Sequence, residues 1–360
     1  GLYILDDITA LQQLESVKSS EAVVFDVRPA VRWSLWSRDG NLGQKSWRGE
    51  NPLPGALITY YLKEQPPGEV NVTISDKDGK VVRRIRRVND EAGVNRASWD
   101  LRYDAPPGGP AGGAARAAAA GSAAGTPADT SLEALRARRR AATEGASEAS
   151  NDDNPFAGPQ APSVLPGTYT VALSVGGKEY KKTVQVETDP RSDMTPAQVI
   201  AQHDAAIQLR DLTLRVNQVV AGTDDIVRQL TALQEQLRRS PRDAAGSPDS
   251  SQRRVLADVD SALRDLRHFR DSVLARPLAG LGYRQYPRLR EEVQTVSGMV
   301  WRPLMPPTAG EMLRLGELKT ETDAVQARLD AIIASRVAKI NQALAGTPHV
   351  ITPTKPRFTP

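Results

Sequence analysis

The sequence predicts a multidomain β + α chain in which an antiparallel β-sandwich of the immunoglobulin or fibronectin type III kind precedes an antiparallel helical bundle. Short apolar runs with a period of two occupy residues 56–103 and 168–187, and turn residues separate them. After Pro190 the apolar period becomes helical. Between the two groups of strands, residues 104–163 are rich in Ala, Gly and Pro, which predicts a flexible, low-complexity insertion.

Composition and charge limit the class of molecule. The chain has 360 residues, of which 39% are hydrophobic, and a formal net charge of +4. This length is enough for two or three domains with apolar cores. So small an excess of positive charge predicts no binding to nucleic acid, and no apolar stretch approaches the length of a membrane span.

Residue types that bind metals or form thiolates are scarce. The sequence contains no cysteine and three histidines, so thiolate chemistry and multi-histidine metal centres are not expected. Asp76 and Asp78 resemble the start of a calcium loop, but the twelfth position holds Arg87 instead of an acidic ligand. A hairpin turn is the better interpretation. We predict no metal and no cofactor.

Residues 1–49 are predicted to close a sheet whose other strands lie upstream. Strand-like runs occur at 2–5 and 23–25, and two strands by themselves cannot bury an apolar face. Residues 28–49 contain Pro and Gly and show no strand period. We expect them to form a linker that docks on a neighbouring domain.

Residues 50–190 carry the strands of the predicted sandwich, interrupted by the insertion at 104–163. The strand-like segments are 56–62, 69–75, 80–88, 95–103, 168–175 and 178–187. Asp-Lys-Asp-Gly at 76–79 predicts a hairpin turn, because Asp tolerates turn geometry and Gly supplies a positive φ. Gly176 and Gly177 predict a second hairpin.

Residues 191–346 predict the helical bundle. Thr195 and Gln198 form a capping-box pattern around Pro196. Heptad spacing continues across Gly222, which favours one long first helix. Further helices are predicted at 251–275, at 289–300 and after the capping box that begins at Thr308. Residues 347–360 are Pro-rich and are expected to be an extended tail.

Seven segments carry a resemblance to a known family. They are Gly-Leu-Tyr-Ile-Leu-Asp-Asp-Ile-Thr at 1–9, Asn-Pro-Leu-Pro-Gly-Ala at 51–56, Tyr-Tyr-Leu-Lys at 60–63, Asp-Lys-Asp-Gly-Lys-Val-Val-Arg at 76–83, Gly-Val-Asn-Arg at 93–96, Trp-Asp-Leu-Arg-Tyr at 99–103 and Leu-Pro-Gly-Thr-Tyr-Thr-Val at 165–171. Together they resemble the C-terminal region of bacterial sortilin-like proteins with BNR (Asp-box) repeats, which are often labelled glycosyl hydrolases. The resemblance covers most of the chain outside the insertion.

This resemblance implies a function and a location. Residues 1–49 would close an upstream β-propeller, and any glycosidase-type site would lie in that propeller. The family is exported, which implies a periplasmic or extracellular protein. Ser-Asp-Lys-Asp-Gly at 75–79 lacks the Thr-Trp that an Asp-box requires, so no hydrolase residue is carried over.

We therefore expect a non-catalytic accessory region that packs beside the propeller and mediates protein–protein assembly. Two alternatives remain open. In one, the chain is the accessory tail of a glycosyl hydrolase-like enzyme whose active site lies in the propeller. In the other, the sandwich is a carbohydrate-binding module.

Trp33, Trp36 and Trp47 are the candidate ligand or interface residues. The flat face of an indole ring suits stacking on a pyranose sugar. Aromatic residues in a linker between domains more often pack into the interface. We predict interface packing, with carbohydrate binding as the alternative.

No catalytic residue is predicted. Asp6 and Asp7 are adjacent, so a strand would point them to opposite faces, and a cap for the following turn explains one of them. His203 and His268 lie on predicted helices, and the sequence contains no nucleophile-elbow motif. We expect both histidines on a helix surface or a helix–helix interface.

Overall fold

The computed structural model describes residues 7–33, 55–105, 161–239, 250–276, 286–301, 305–345 and 350–353. Contacts between Cα atoms divide the chain into two compact units. The described part of the first unit runs to Asp204 and also includes Trp301, Met305 and Pro306. The second unit contains the remaining helical residues from Ala205 onwards. The fold class is therefore mixed β and α, as predicted.

The first unit contains eight described strands after one short helix, α1 (Thr9–Val17). The strands are β1 (Ala22–Val24), β2 (Ala30–Arg32), β3 (Ala56–Leu62), β4 (Asn71–Ser75), β5 (Val81–Ile85), β6 (Gly93–Trp99), β7 (Gly167–Val175) and β8 (Lys178–Thr188). A three-stranded sheet has the order β1-β3-β6, and a five-stranded sheet has the order β2-β8-β7-β4-β5. All these pairs are antiparallel except β2 with β8, which is parallel.

Both sheets contribute to one apolar core. Ile58 and Tyr60 on β3 belong to the same buried cluster as Ile74 on β4 and Leu173 on β7. Because successive strand residues point to opposite faces, each strand supplies one buried row to this cluster. The predicted period of two therefore identifies the side of each sheet that is buried.

Both predicted hairpins are confirmed. Asp76 Oδ1 accepts hydrogen bonds from the backbone nitrogens of Asp78 and Lys80 at 3.0 and 2.9 Å. The second hairpin joins β7 to β8 through Gly176 and Gly177, whose φ angles are +55° and +81°. The Asp76 carboxylate is thus a turn acceptor, which agrees with the hairpin interpretation.

The pairing of β1 and β2 corrects two expectations from the sequence. The run at 23–25 was assigned to an upstream sheet, whereas β1 pairs with β3 and places Val24 opposite Tyr60. Residues 28–49 were assigned to a linker, whereas β2 pairs in parallel with β8. A strand of three residues shows too little periodicity to identify its partner. The run at 2–5 and nearly all of the insertion lie outside the described residues.

Two aromatic side chains of the core, Trp99 and Tyr169, pack against each other. The Tyr169 hydroxyl donates to the carbonyl oxygen of Leu165 at 2.7 Å, and the Trp99 indole nitrogen donates to the carbonyl oxygen of Arg102 at 3.0 Å. The two rings meet edge to face with centroids 5.2 Å apart. Burial raises the pKa of the Tyr169 phenol, so it remains a protonated donor at neutral pH.

The remaining elements are helices, and the first of them begins in the first unit. They are α2 (Pro196–Arg239), α3 (Ser250–Phe269), α4 (Leu289–Val300), α5 (Ala309–Ile332) and α6 (Ala338–Ala343). A π-helical turn, Arg270–Leu274, follows α3, and another, Ile333–Val337, joins α5 to α6. The prediction of one long first helix across Gly222 is confirmed. None of the helices in the described ranges is long and apolar enough to cross a membrane.

Apolar stripes and a buried carboxylate hold the second unit together. Four leucines of these stripes are each at most 2% exposed: Leu209 and Leu230 on α2, Leu263 on α3 and Leu318 on α5. Glu291, at the start of α4, accepts the backbone N–H groups of residues 276 and 288 at 3.1 and 3.0 Å. The Glu291 carboxylate therefore links the backbone at residue 276 to the backbone at residue 288.

The C-terminal residues that are described, 350–353, are held against helices. The side-chain amide of Asn341 donates to the carbonyl oxygen of Ile351 and accepts from its backbone nitrogen, each at 2.8 Å. Ile351 is 4% exposed. At least this part of the predicted tail is therefore packed on the helical unit.

The capping box of α5 supports a first prediction. Thr308 Oγ1 accepts from the backbone nitrogen of Glu311 at 3.2 Å, and the Glu311 carboxylate accepts from the Thr308 nitrogen at 2.7 Å. We expect Thr308→Ala to lower the free energy of unfolding by about 1 kcal/mol, because the backbone N–H of Glu311 loses its acceptor. Urea unfolding followed by circular dichroism measures it. Thr320→Ala, at an exposed mid-helix position of α5, is the control, and equal effects of the two changes would contradict the prediction.

Candidate functional site

Trp33 is the one predicted tryptophan of the three that lies within the described residues; Trp36 and Trp47 lie outside them. Trp33 directly follows β2, an edge strand of the five-stranded sheet. Its backbone nitrogen donates to the carbonyl oxygen of Val31 at 2.9 Å, and the residue is 50% exposed. The indole ring is thus half-exposed at a sheet edge.

The guanidinium of Arg191 lies over the ring of Trp33. Its central carbon is 5.3 Å from the ring centroid, within the range of a cation–π contact. The Arg191 side chain is 61% exposed. These two residues, called here the Trp33–Arg191 pair, form an exposed surface that is both aromatic and cationic.

Asp189 fixes Arg191 from the interior of the unit. The Asp189 side chain is fully buried. Its Oδ1 accepts from the backbone nitrogen and from Nε of Arg191, each at 2.9 Å, and its Oδ2 accepts from Nη2 at 2.6 Å. This two-pronged contact sets the plane of the guanidinium. The hydrogen bond that Arg191 donates to Asp189 also raises the pKa of Arg191.

The turn between β8 and α2 explains why these groups meet. Asp189 accepts the backbone N–H two residues on, which is the geometry of an Asx turn, and its carbonyl oxygen accepts from Ser192 at 2.9 Å. The Thr195–Gln198 capping box then starts α2, as predicted. Because β2 pairs with β8, this turn brings Arg191 next to Trp33.

A small cavity lies beside Asp189. Arg32 on β2 and Asp189 form part of its wall. The other lining residues are Thr188, Ser192 and Met194 in the turn region and Val199 and Gln202 on α2. The cavity has a volume of ≈ 10 Å³, about the space that one water molecule needs. Sequence reasoning did not identify Arg32, Asp189 or Arg191, although Asp-Pro-Arg-Ser at 189–192 is a recognisable turn pattern.

His203 forms a hydrogen-bonded row with two neighbours. Its Nε2 lies 3.1 Å from the hydroxyl of Tyr103, and its Nδ1 lies 3.3 Å from Asp204 Oδ1. The imidazole is 14% exposed, so most of the ring is buried. The sequence did not indicate this row, since Tyr103 and His203 are 100 residues apart. His268 is exposed on α3.

The acidic candidates have local roles. Asp7 Oδ1 accepts from the backbone nitrogen of Thr9 at 3.0 Å, at the first residue of α1. This hydrogen bond lowers the pKa of Asp7. This contact agrees with the expectation that one of the two aspartates serves the following turn, and Asp6 lies outside the described residues. Across the described ranges, no group of three or more His, Asp or Glu is arranged to hold a metal ion.

No related protein indicates the function of this chain. No family model matches the chain, and searches of curated proteins and of solved structures found no match. The Trp33–Arg191 pair and its surroundings are therefore the features of the described residues that bear on function.

Proposed function

We propose that this chain is a non-catalytic interaction region that binds a protein partner through the Trp33–Arg191 pair. The observation that carries the proposal is the fixing of an exposed arginine over a half-exposed tryptophan by a buried carboxylate. Trp and Arg are enriched among the residues that dominate binding energy at protein interfaces. Because Asp189 already holds Arg191, less side-chain entropy is lost on binding.

The position of Arg191 favours a protein partner over a sugar at this site. A pyranose ring stacks on an open aromatic face, whereas the guanidinium already lies over the indole of Trp33. A protein surface with a carboxylate or an aromatic ring can contact both members of the pair at once. Carbohydrate binding is therefore the second candidate.

The proposal includes a finer fold for each unit. We propose an immunoglobulin- or fibronectin-like sandwich for the two sheets and an antiparallel bundle for the helices. The shared core of both sheets supports the sandwich. So does the hydroxyl of Tyr169, near the start of β7, which bonds back to Leu165 as in a tyrosine corner. Ion pairs that link neighbouring helices, such as Arg336 with Asp265, support the bundle.

The resemblance to sortilin-like BNR-repeat proteins supports a context for the partner. We propose that the partner is a β-propeller of the same exported protein, in the periplasm or outside the cell, or a protein assembled with it. In the alternative, the propeller carries a glycosyl hydrolase-like active site and this region is its accessory tail. Either way, the surface around Trp33 would make the contact.

Replacement of Trp33 tests the proposal. The full-length protein is crosslinked in its native source and purified as wild type, Trp33→Ala and Val94→Ala; Val94 is 44% exposed on β6 and serves as control. We expect Trp33→Ala to weaken recovery of the crosslinked partner by roughly tenfold or more, because such residues contribute 2 kcal/mol or more at interfaces. Intact mass shows whether the partner belongs to the same polypeptide.

Two outcomes decide among the candidates. Equal recovery by Trp33→Ala and wild type would contradict docking at this site. A folded Trp33→Ala protein that instead loses oligosaccharide binding would favour the carbohydrate-binding alternative. Thermal unfolding of each variant shows whether it is folded, so a lost contact is not confused with a lost fold.

A further inference from the structure

Arg32 is a charged side chain in the wall of the small cavity. It is the last residue of β2, opposite Thr188 in the parallel pair, and it is partly buried. Its Nε is buried and forms no hydrogen bond within the described residues. None of the ion pairs in the described ranges includes it. A guanidinium remains charged at neutral pH, so this positive charge has no ion-pair partner among the described residues.

The surroundings of Arg32 increase the cost of this charge. Burial lowers the pKa of Arg32, and the positive charge of Arg102 lowers it further, while Tyr169 acts weakly in the opposite direction. Asp189 lies in the same cavity wall, but its two oxygens accept three hydrogen bonds from Arg191. Buried charges in proteins are normally paired. The arrangement therefore has the features of a site whose anion comes from outside.

The cavity beside Arg32 limits what that anion can be. Its volume of ≈ 10 Å³ suits one oxygen atom better than a whole tetrahedral group. The neighbouring carboxylate of Asp189 disfavours a doubly charged ligand such as phosphate. A carboxylate is singly charged, planar and matched to the donor geometry of a guanidinium.

We propose that Arg32 is the anchor of a carboxylate-binding site, in which one oxygen of the ligand enters the cavity and the other remains outside. Ser192 and Gln202 supply further polar groups in the cavity wall. The carboxylate belongs either to a small free acid or to an Asp or Glu side chain of another polypeptide. The site is independent of the docking role proposed for the Trp33–Arg191 pair.

A titration with formate tests the site directly. The full chain is labelled with ¹⁵N, and the Nε–H resonance of Arg32, identified by its loss in Arg32→Lys, is followed as formate replaces fluoride at constant ionic strength. We expect a saturable shift of this resonance and a saturable rise in Tm. Arg32→Met should abolish the rise in Tm. Arg86→Met, which removes an exposed arginine of the same unit, should preserve both responses.

The two sources of the carboxylate are separated by a second ligand. Aspartate blocked at both termini is titrated in parallel, with blocked asparagine as the neutral control. Tighter binding of blocked aspartate than of formate would indicate a polypeptide side chain, and the reverse would indicate a small acid. In the absence of carboxylate, Arg32→Met should be as stable as wild type or more stable, because it removes an unpaired charge.

The proposal would be overturned by any of three results. The first is an Arg32 resonance that does not shift with formate. The second is sulfate binding as tightly as formate, which would indicate an unspecific anion site. The third is a rise in Tm that persists in Arg32→Met. If Arg32→Met does not fold, the titration of the wild-type resonance still decides.

Discussion

Replacing Gly55 by alanine is expected to lower the free energy of unfolding of the first unit by about 3 kcal/mol or more. Gly55 has a φ of +86°, and an added Cβ would lie 1.9 Å from the carbonyl oxygen of Trp99 and 2.8 Å from its carbonyl carbon. Both are backbone atoms of β6, and the next residue, Ala56, pairs with Trp99 across the β3–β6 ladder. Relief of the clash would therefore require the two strands to separate.

Gly68→Ala is the matched control for this change. A Cβ at Gly68 would meet no atom within 4 Å, so we expect a change of at most about 1 kcal/mol in either direction. Urea unfolding followed by tryptophan fluorescence measures both variants. Equal stabilities of the two alanine variants would contradict the close approach of Gly55 to β6.

The second large effect is expected at Asp189. Asp189→Ala removes three hydrogen bonds from Arg191, including one from its backbone nitrogen. Because the lost bonds involve a buried carboxylate, we expect the free energy of unfolding to fall by about 2–3 kcal/mol. The same change releases the guanidinium from its place over Trp33, so partner binding should weaken even where the chain remains folded.

Asp26→Ala is the control for Asp189→Ala. Asp26 forms an ion pair with Lys182 at 2.5 Å, but both side chains are substantially exposed, at 61% and 42%. An exposed pair of this kind contributes about 0.2–1 kcal/mol. Urea unfolding compares the two variants. A loss for Asp189→Ala no larger than that for Asp26→Ala would mean that burial of the Asp189 carboxylate has no structural role.

Local sequence patterns predicted most of the secondary structure. The strands from β3 to β8, both hairpin turns and the helices α2 to α5 follow from apolar periods, glycines and capping residues that lie close together in the chain. The capping box at Thr308 and the turn at Asp76 were identified down to the side chain. These features depend on neighbours within about four residues, which is the range that such patterns describe.

The pairing of distant segments could not be predicted in this way. The partners of β1 and β2 were missed because a three-residue strand carries no register of its own. The contact between His203 and Tyr103 was missed for a related reason, since nothing near either residue encodes the other.

The amino-acid sequence by itself determined the order of β3 to β8 and of α2 to α5, their periods, and the presence of tryptophan at position 33. Only the tertiary structure decided that Arg191 lies over this tryptophan, that the Asp189 side chain holding Arg191 is buried, and that Arg32 lines a small cavity with its Nε unbonded among the described residues. The physical reason is that periods and caps arise from local backbone geometry, whereas the contacts of Arg32 and Trp33 join β2 and the residue after it to a turn more than 150 residues away in the chain.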